Sequence, residues 1–342
     1  MTTISVLDLA PVSADATVGE ALEDTVAVAQ AAERLGYHRF WVAEHHSMPG
    51  IASAAPAVLI GRIAAATESI RVGSGGVMLP NHQPLVVAEQ FGTLDAMFPG
   101  RVDLGIGRAP GTDQLTAHAL RGGNVQEKVE DFPQALAHLR AFFADAFPAD
   151  HPYAAITATP GIGATPEVWL LGSSTFSAQL AALLGLPFAF ARHFAPQQTM
   201  PALRTYRENF KPAAQQDDPS LTGTLDAPRA MLTVTVVAAE TDEKARRVAA
   251  PAKLAMARLR TGSPGRLPTF DEAAAAPLTE LQESAVAPSS SAWIVGSRET
   301  VRAELAELIE RTEADELMVS GMIPGRAERI RSLELIAEAA AA

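Results

Sequence analysis

The chain has 342 residues, with 48% hydrophobic and 19% charged side chains, a composition of folded globular proteins. Its 39 acidic against 27 basic residues leave a net charge of -12, which repels polyphosphate backbones and argues against a nucleic-acid partner. With no cysteine, the sequence excludes disulfides, thiolate zinc sites, iron–sulfur clusters and a cysteine nucleophile.

The opening residues Met1–Asp8 show no basic region followed by an apolar stretch, and no run of about 20 apolar residues occurs further on. The expectation is a cytoplasmic protein without membrane contact. Along the chain, short runs rich in β-branched and aromatic residues alternate with longer helical patterns. The strand-like runs are Ile4–Leu9, Arg39–Glu44, Arg71–Leu79, Val102–Gly107, Val168–Gly172, Phe188–Ala191, Ala230–Ala239 and Glu316–Ser320. Helical patterns follow them at Gly19–Leu35, Ala54–Ala66, Pro84–Met97, Val125–Phe147, Thr175–Leu184, Pro196–Phe210, Thr241–Arg260 and Arg326–Ala337. This alternation predicts an α/β fold, a closed (β/α)8 TIM barrel spanning residues 1–342 as a single domain.

Two stretches exceed a minimal strand–helix unit. His151–Pro166, rich in Pro, Gly, Ala and Thr, reads as an irregular excursion. Thr261–Trp293 contains Pro264, Pro268, Pro277 and Pro288 and reads as a long structureless insertion before the eighth strand, an active-site lid. Ser297 then looks like an N-cap opening an extra helix that runs to about Thr312.

In such barrels the reactive groups stand at the carboxyl ends of strands. After the second strand comes Glu44-His45-His46, a set that suits either a general base with orienting partners or metal ligation. Around the end of the third strand, Gly75-Gly76, followed by Val77, removes side chains where the backbone either bends at the rim or presses against a flat ligand. Met78 stands where a dinucleotide fingerprint needs glycine. Arg108, emerging after the glycine-rich fourth strand, suits an anion or a loop carboxylate. Gly172-Ser173-Ser174 precedes a helix N-terminus, where small residues cap the helix and expose N–H groups to an anion. Convergence of Arg108 with Gly172–Thr175 on one phosphate, Gly75-Gly76 under a ring system and His45 at its reactive edge would describe a phosphorylated planar cofactor.

The segments Phe40-Trp41-Val42-Ala43-Glu44-His45-His46, Val72–Pro84, Ala88–Asp95 and Pro99–Arg108 make the chain resemble the bacterial luciferase-like flavin monooxygenases, specifically the non-bioluminescent single-chain members. The resemblance implies reduced FMN delivered by a separate NAD(P)H:flavin reductase, its reaction with O2 to a C4a-peroxyflavin, and oxygenation of a small organic substrate. It implies that His45 is the catalytic imidazole, that the Gly75–Gly76 peptide is cis beneath the isoalloxazine ring, and that Arg108, Gly172, Ser173 and Ser174 contact the phosphate. A homodimer formed through helices of the first half is implied as well. Light-emitting members carry a reactive cysteine where this chain has Gly107, so aldehyde-dependent light emission is not implied.

Three other functions compete: F420-dependent hydride transfer on the same fold, a metal-dependent hydrolase using His45, His46 and His82 with Glu44 or Asp103, and a flavin-binding protein without turnover. Neighbouring residues on a strand point to opposite faces, which hinders His45 and His46 from sharing one metal.

Overall fold

The β-rich runs form strands at the positions the pattern predicts. The computed structural model describes residues 2–123, 125–216 and 225–341. Its strands are β1 (Thr3–Asp8), β2 (Arg39–Val42), β3 (Arg71–Met78), β4 (Val102–Gly107), β5 (Glu167–Gly172), β6 (Phe188–Phe190), β7 (Ala230–Ala238), β8 (Ile294–Gly296) and β9 (Glu316–Ser320). All their pairings are parallel, and the order β6-β5-β4-β3-β2-β1-β9-β7 closes through a β6–β7 ladder into an eight-stranded barrel. Closure leaves no unpaired edge in the ring. The short β8 lies outside it, paired with Val236–Ala238 at the end of β7.

The surrounding helices are α1 (Val18–Arg34), α2 (Pro56–Ala64), α3 (Pro84–Met97), α4 (Gln114–Arg121), α5 (Val125–Glu130), α6 (Phe132–Ala144), α7 (Thr175–Leu183), α8 (Thr199–Glu208), α9 (Asp242–Arg260), α10 (Phe270–Ala275), α11 (Glu280–Ser290), α12 (Arg298–Thr312) and α13 (Arg326–Ala341). Side-chain caps start several of them: Thr17 and Glu20 form a reciprocal capping box at α1, and Thr241 and Ser297 accept N–H groups at α9 and α12. None of the helices is long and apolar enough to cross a membrane among the described residues.

Two expectations are corrected here. The pattern Val125–Phe147 is two helices, because Pro133 in the first turn of α6 has no N–H to continue an incoming helix. Residues 261–293 are not structureless: they hold α10 and α11. Both begin with reciprocal capping boxes, Thr269 with Glu272 and Thr279 with Gln282, a sequence signal that the surrounding prolines obscured. The two helices pack on α9.

Inside the barrel, Leu7, Trp41, Trp169, Met231 and Met318 fill the middle layer. Toward the amino ends of the strands a charged layer seals the barrel. Arg39, 2% exposed, donates to Asp103 at 2.7 Å and to Glu316 at 2.8 Å, and its guanidinium lies 5.1 Å from the Trp169 ring. The Trp41 indole donates to the same Asp103 at 2.8 Å. Paired charges and the edge-to-face rings of Trp41 and Trp169 plug this end, and a cavity opens at the carboxyl ends.

Candidate active site

A cavity of about 440 Å3 occupies that end, walled by residues that follow the strands in turn. His45, just beyond β2, reaches it. Its Nδ1 lies 3.2 Å from the carbonyl oxygen of Gly111, and the same oxygen accepts the backbone N–H of His46 at 3.1 Å. A carbonyl only accepts, so Nδ1 carries the proton and Nε2 keeps its lone pair. Gly111 is required for this: its φ is +66°, and a Cβ there would meet the Glu44 carbonyl oxygen at 2.7 Å. Burial depresses the His45 pKa below the ordinary imidazole value, keeping the ring neutral.

Glu44 and His46 lie beside His45 in sequence but do not line the cavity. The Glu44 carboxylate is fully buried and accepts from His46 Nε2 at 2.8 Å, His82 Nε2 at 2.9 Å and the Met78 N–H at 3.0 Å. Burial opposes its ionisation, but the hydrogen bonds from His82, His46 and Met78 outweigh that and hold the carboxyl below its usual range. The cluster thereby ties the end of β2 to the turn after β3. Among the described residues no three His, Asp or Glu side chains are arranged to hold a metal ion. The ligand set of the hydrolase reading is divided, with His45 at the cavity and His46 and His82 on Glu44.

The Gly75–Gly76 peptide is cis. The pairing of β3 with β4 shifts register between Gly75 and Val77 at this point. Gly75 forms cavity wall, whereas Gly76 packs against the Gly105 carbonyl and Val77, 4% exposed, belongs to the core.

At the far side Arg108, Gly172, Ser173 and Ser174 come together on the wall. The Arg108 guanidinium sits 4.1 Å from the Phe176 ring centroid. Among the described residues no carboxylate lies within salt-bridge distance of it. Ser174 occupies the N-cap position of α7, yet its side chain makes no capping bond. Gly172 lets the strand end tuck under that helix, since a Cβ would stand 2.3 Å from Ser177 Cβ. A cation without a counter-ion beside an uncapped helix N-terminus fits a phosphate group.

His193, which the sequence reading passed over, also reaches the cavity, from just beyond β6. Burial pushes its pKa down to about 4, and its Nδ1 faces the Thr233 carbonyl at 3.4 Å. Arg192-His193 directly follows the run Phe188–Ala191, so inspection of that strand end by the rule applied to the others would have found it. Further wall comes from α9, from the turn Met48–Ile51, from Trp293 and from residues 264–267, which dock on the β1–α1 connection through Leu267 N–H to the Val12 carbonyl, 2.9 Å.

The model of the luciferase-like monooxygenase family matches residues 2–316, nearly the whole barrel. The chain belongs to the luciferase-like monooxygenases. It is 45% identical to the Luciferase-like monooxygenase of Escherichia coli (strain K12) over 331 residues, 97% of this chain and 95% of that one. The crystal structure of apo-MsnO8 superposes on this luciferase-like monooxygenase with a TM-score of 0.86 and 40% identity, covering 100% of this chain and 99% of that one. The oxygenating constituent of 3,6-diketocamphane monooxygenase from Pseudomonas putida, solved with FMN, superposes with a TM-score of 0.70 at 20% identity, covering 99% and 97%, a likeness of fold.

Proposed function

We propose that this luciferase-like monooxygenase binds reduced FMN and uses O2 to insert one oxygen atom into a small organic substrate. The observation that carries this reading is Arg108, a cation with no carboxylate partner, beside Gly172–Ser174 at the start of α7, on the same cavity as Gly75 and His45. A phosphate there would take charge-assisted bonds from Arg108 and N–H donors from the helix terminus. Gly75, without a side chain, leaves the wall of β3 flat beside a planar ring. Reduced FMN supplies the two electrons that activate O2, so that one oxygen atom enters the substrate and the other leaves as water.

The protein's own part is to bind, to exclude water and to move a proton. His45 Nε2, held unprotonated by the Nδ1–H bond to Gly111, accepts a proton at the cavity wall and returns it. Glu44 and His46 act behind it as positioning residues, holding the loop that carries His45 against Met78. The chain has no electron source of its own in this scheme, so a separate NAD(P)H:flavin reductase is the donor. A homodimer through the helices of the first half belongs to the same reading. A cytoplasmic setting agrees with the same scheme.

The test is an anaerobic titration of the protein with photoreduced FMN, riboflavin and reduced F420, followed by mixing with oxygenated buffer. Tightest binding of FMN, with reoxidation of the bound flavin at a rate distinct from that of free flavin, is expected. Tighter binding of F420 would replace this reading by hydride transfer; reoxidation at the free rate would leave flavin binding without oxygen chemistry.

A further inference from the structure

Outside its phosphate end, the cavity is built from uncharged groups. Met48, Ile51, Met256, Leu259, Leu267 and Trp293 supply large apolar surfaces, with Ala252 and Ala255 between them. Among the described residues Arg108 is the single charged side chain on the whole wall. The two imidazoles present, His45 and His193, are both held neutral by burial, and each Nδ1 faces a backbone carbonyl. An anion in this part of the cavity would therefore lose its water without gaining a cation, and a cation would find no carboxylate.

We propose that the organic substrate of this enzyme is an uncharged, predominantly apolar molecule, seated against α9, residues 264–267 and Trp293, and that substrates bearing a carboxylate, sulfonate or ammonium group are rejected. This rests on the flavin reading, in which the phosphate takes up Arg108. The selection is electrostatic as well as steric. A neutral thioether or ester replaces cavity water with dispersion contacts to Met256, Leu259 and Trp293, whereas its charged analogue of equal length forfeits its hydration. Nε2 of His45 and Nε2 of His193 are acceptors, and the hydroxyls of Thr233, Thr235 and Ser320 on the wall are neutral donors that supply a carboxylate with no counter-charge.

A matched pair of probes tests this: methyl (hexylthio)acetate and the (hexylthio)acetate anion share one thioether body and differ in charge. Their binding is measured by calorimetry at pH 8, in protein saturated with oxidised FMN and separately in Arg108→Ala protein without flavin. The ester is expected to bind about tenfold or more tightly than the anion in both. The Arg108→Ala arm has no charged wall residue and needs no FMN, so a failure of FMN to bind sinks the flavin reading alone and leaves this comparison intact. An anion bound as tightly as the ester there, or an ester that does not bind in either arm, overturns the proposal. Leu259→Arg, at a side chain already 46% exposed, adds a cation at the apolar end and is expected to reverse the preference. An unchanged order in that variant would overturn the electrostatic account.

Discussion

The Nδ1 atom of His45 lies 3.2 Å from the carbonyl oxygen of Gly111, and a backbone angle that only glycine adopts easily brings that carbonyl there. A loop after β4 thus decides which nitrogen of an imidazole after β2 faces the cavity.

Replacing Gly111 with Ala tests that link. At φ +66° a side chain costs about 1–2 kcal/mol, and contact with the Glu44 carbonyl at 2.7 Å adds to it. Urea unfolding should show at least that loss of stability. Substrate oxygenation should fall further than reduced-FMN affinity, because His45 loses its orientation while the phosphate end is untouched. Equal falls in both would mean that the loop serves flavin binding instead.

His45→Ala is expected to keep FMN binding within about twofold while slowing turnover by about 10²–10⁴. In the native enzyme the proton acceptor must be neutral. Since burial lowers the pKa of His45, the rate should stay level through neutrality and drop only below pH 6.5, as the ring charges. A limb in the rate that survives the substitution would assign the titration to another group.

For Arg108→Ala the expected effect is on the phosphate alone: FMN binds about 10- to 100-fold more weakly and riboflavin is unaffected. Flavin titration of the two ligands checks it. Parallel losses would show that Arg108 supports the cavity through its stacking on Phe176, 4.1 Å away, and does not read the phosphate.

His193 makes stability depend on acid. Its pKa falls from the ordinary imidazole value of 6.5 to about 4 on folding, so the unfolded chain binds the extra proton first. The contribution to stability is complete above about pH 6.5 and is lost as the pH drops toward 4. His193→Asn, which keeps a donor for the Thr233 carbonyl, should flatten the pH dependence of the urea midpoint across that window. An unaltered slope would trace the acid sensitivity to a different group.

At the closed end of the barrel, Arg39→Met leaves buried Glu316 without its cation, while Asp103 keeps the Arg71 guanidinium at 2.9 Å. A loss of about 3–5 kcal/mol is expected by calorimetry, with FMN affinity per folded molecule unchanged. A variant as stable as the parent would show that the hydrophobic replacement offsets the lost ion pairs.

Much of this was legible in the chain itself. The alternation of apolar strand runs with helical patterns marks parallel strands joined by helical crossovers, and eight such units suit a closed barrel. The strand-end rule then picked out His45, Gly75, Arg108 and Gly172–Ser174, all of which the fold brings to one cavity. Local signals of that kind depend on residues within a few positions of one another. His193 was accessible to the same rule, and the capping boxes at Thr269 and Thr279 announced helices among the prolines.

Other features depend on residues far apart in sequence, and only tertiary structure decides them. Glu44, His45 and His46 are consecutive, yet one imidazole turns to the cavity while the carboxylate accepts from the other imidazole, from His82 and from the Met78 N–H behind it. Strand alternation shows that neighbours diverge; it does not say which side faces the open end. Arg39, Asp103 and Glu316 come from three strands, and nothing near any of them in the chain marks the others as partners. The length and order of apolar segments determined the barrel, because burial is a property each segment carries with it. Contacts across the barrel determined the direction of each polar group, because a hydrogen bond or an ion pair exists only once both partners have been brought together.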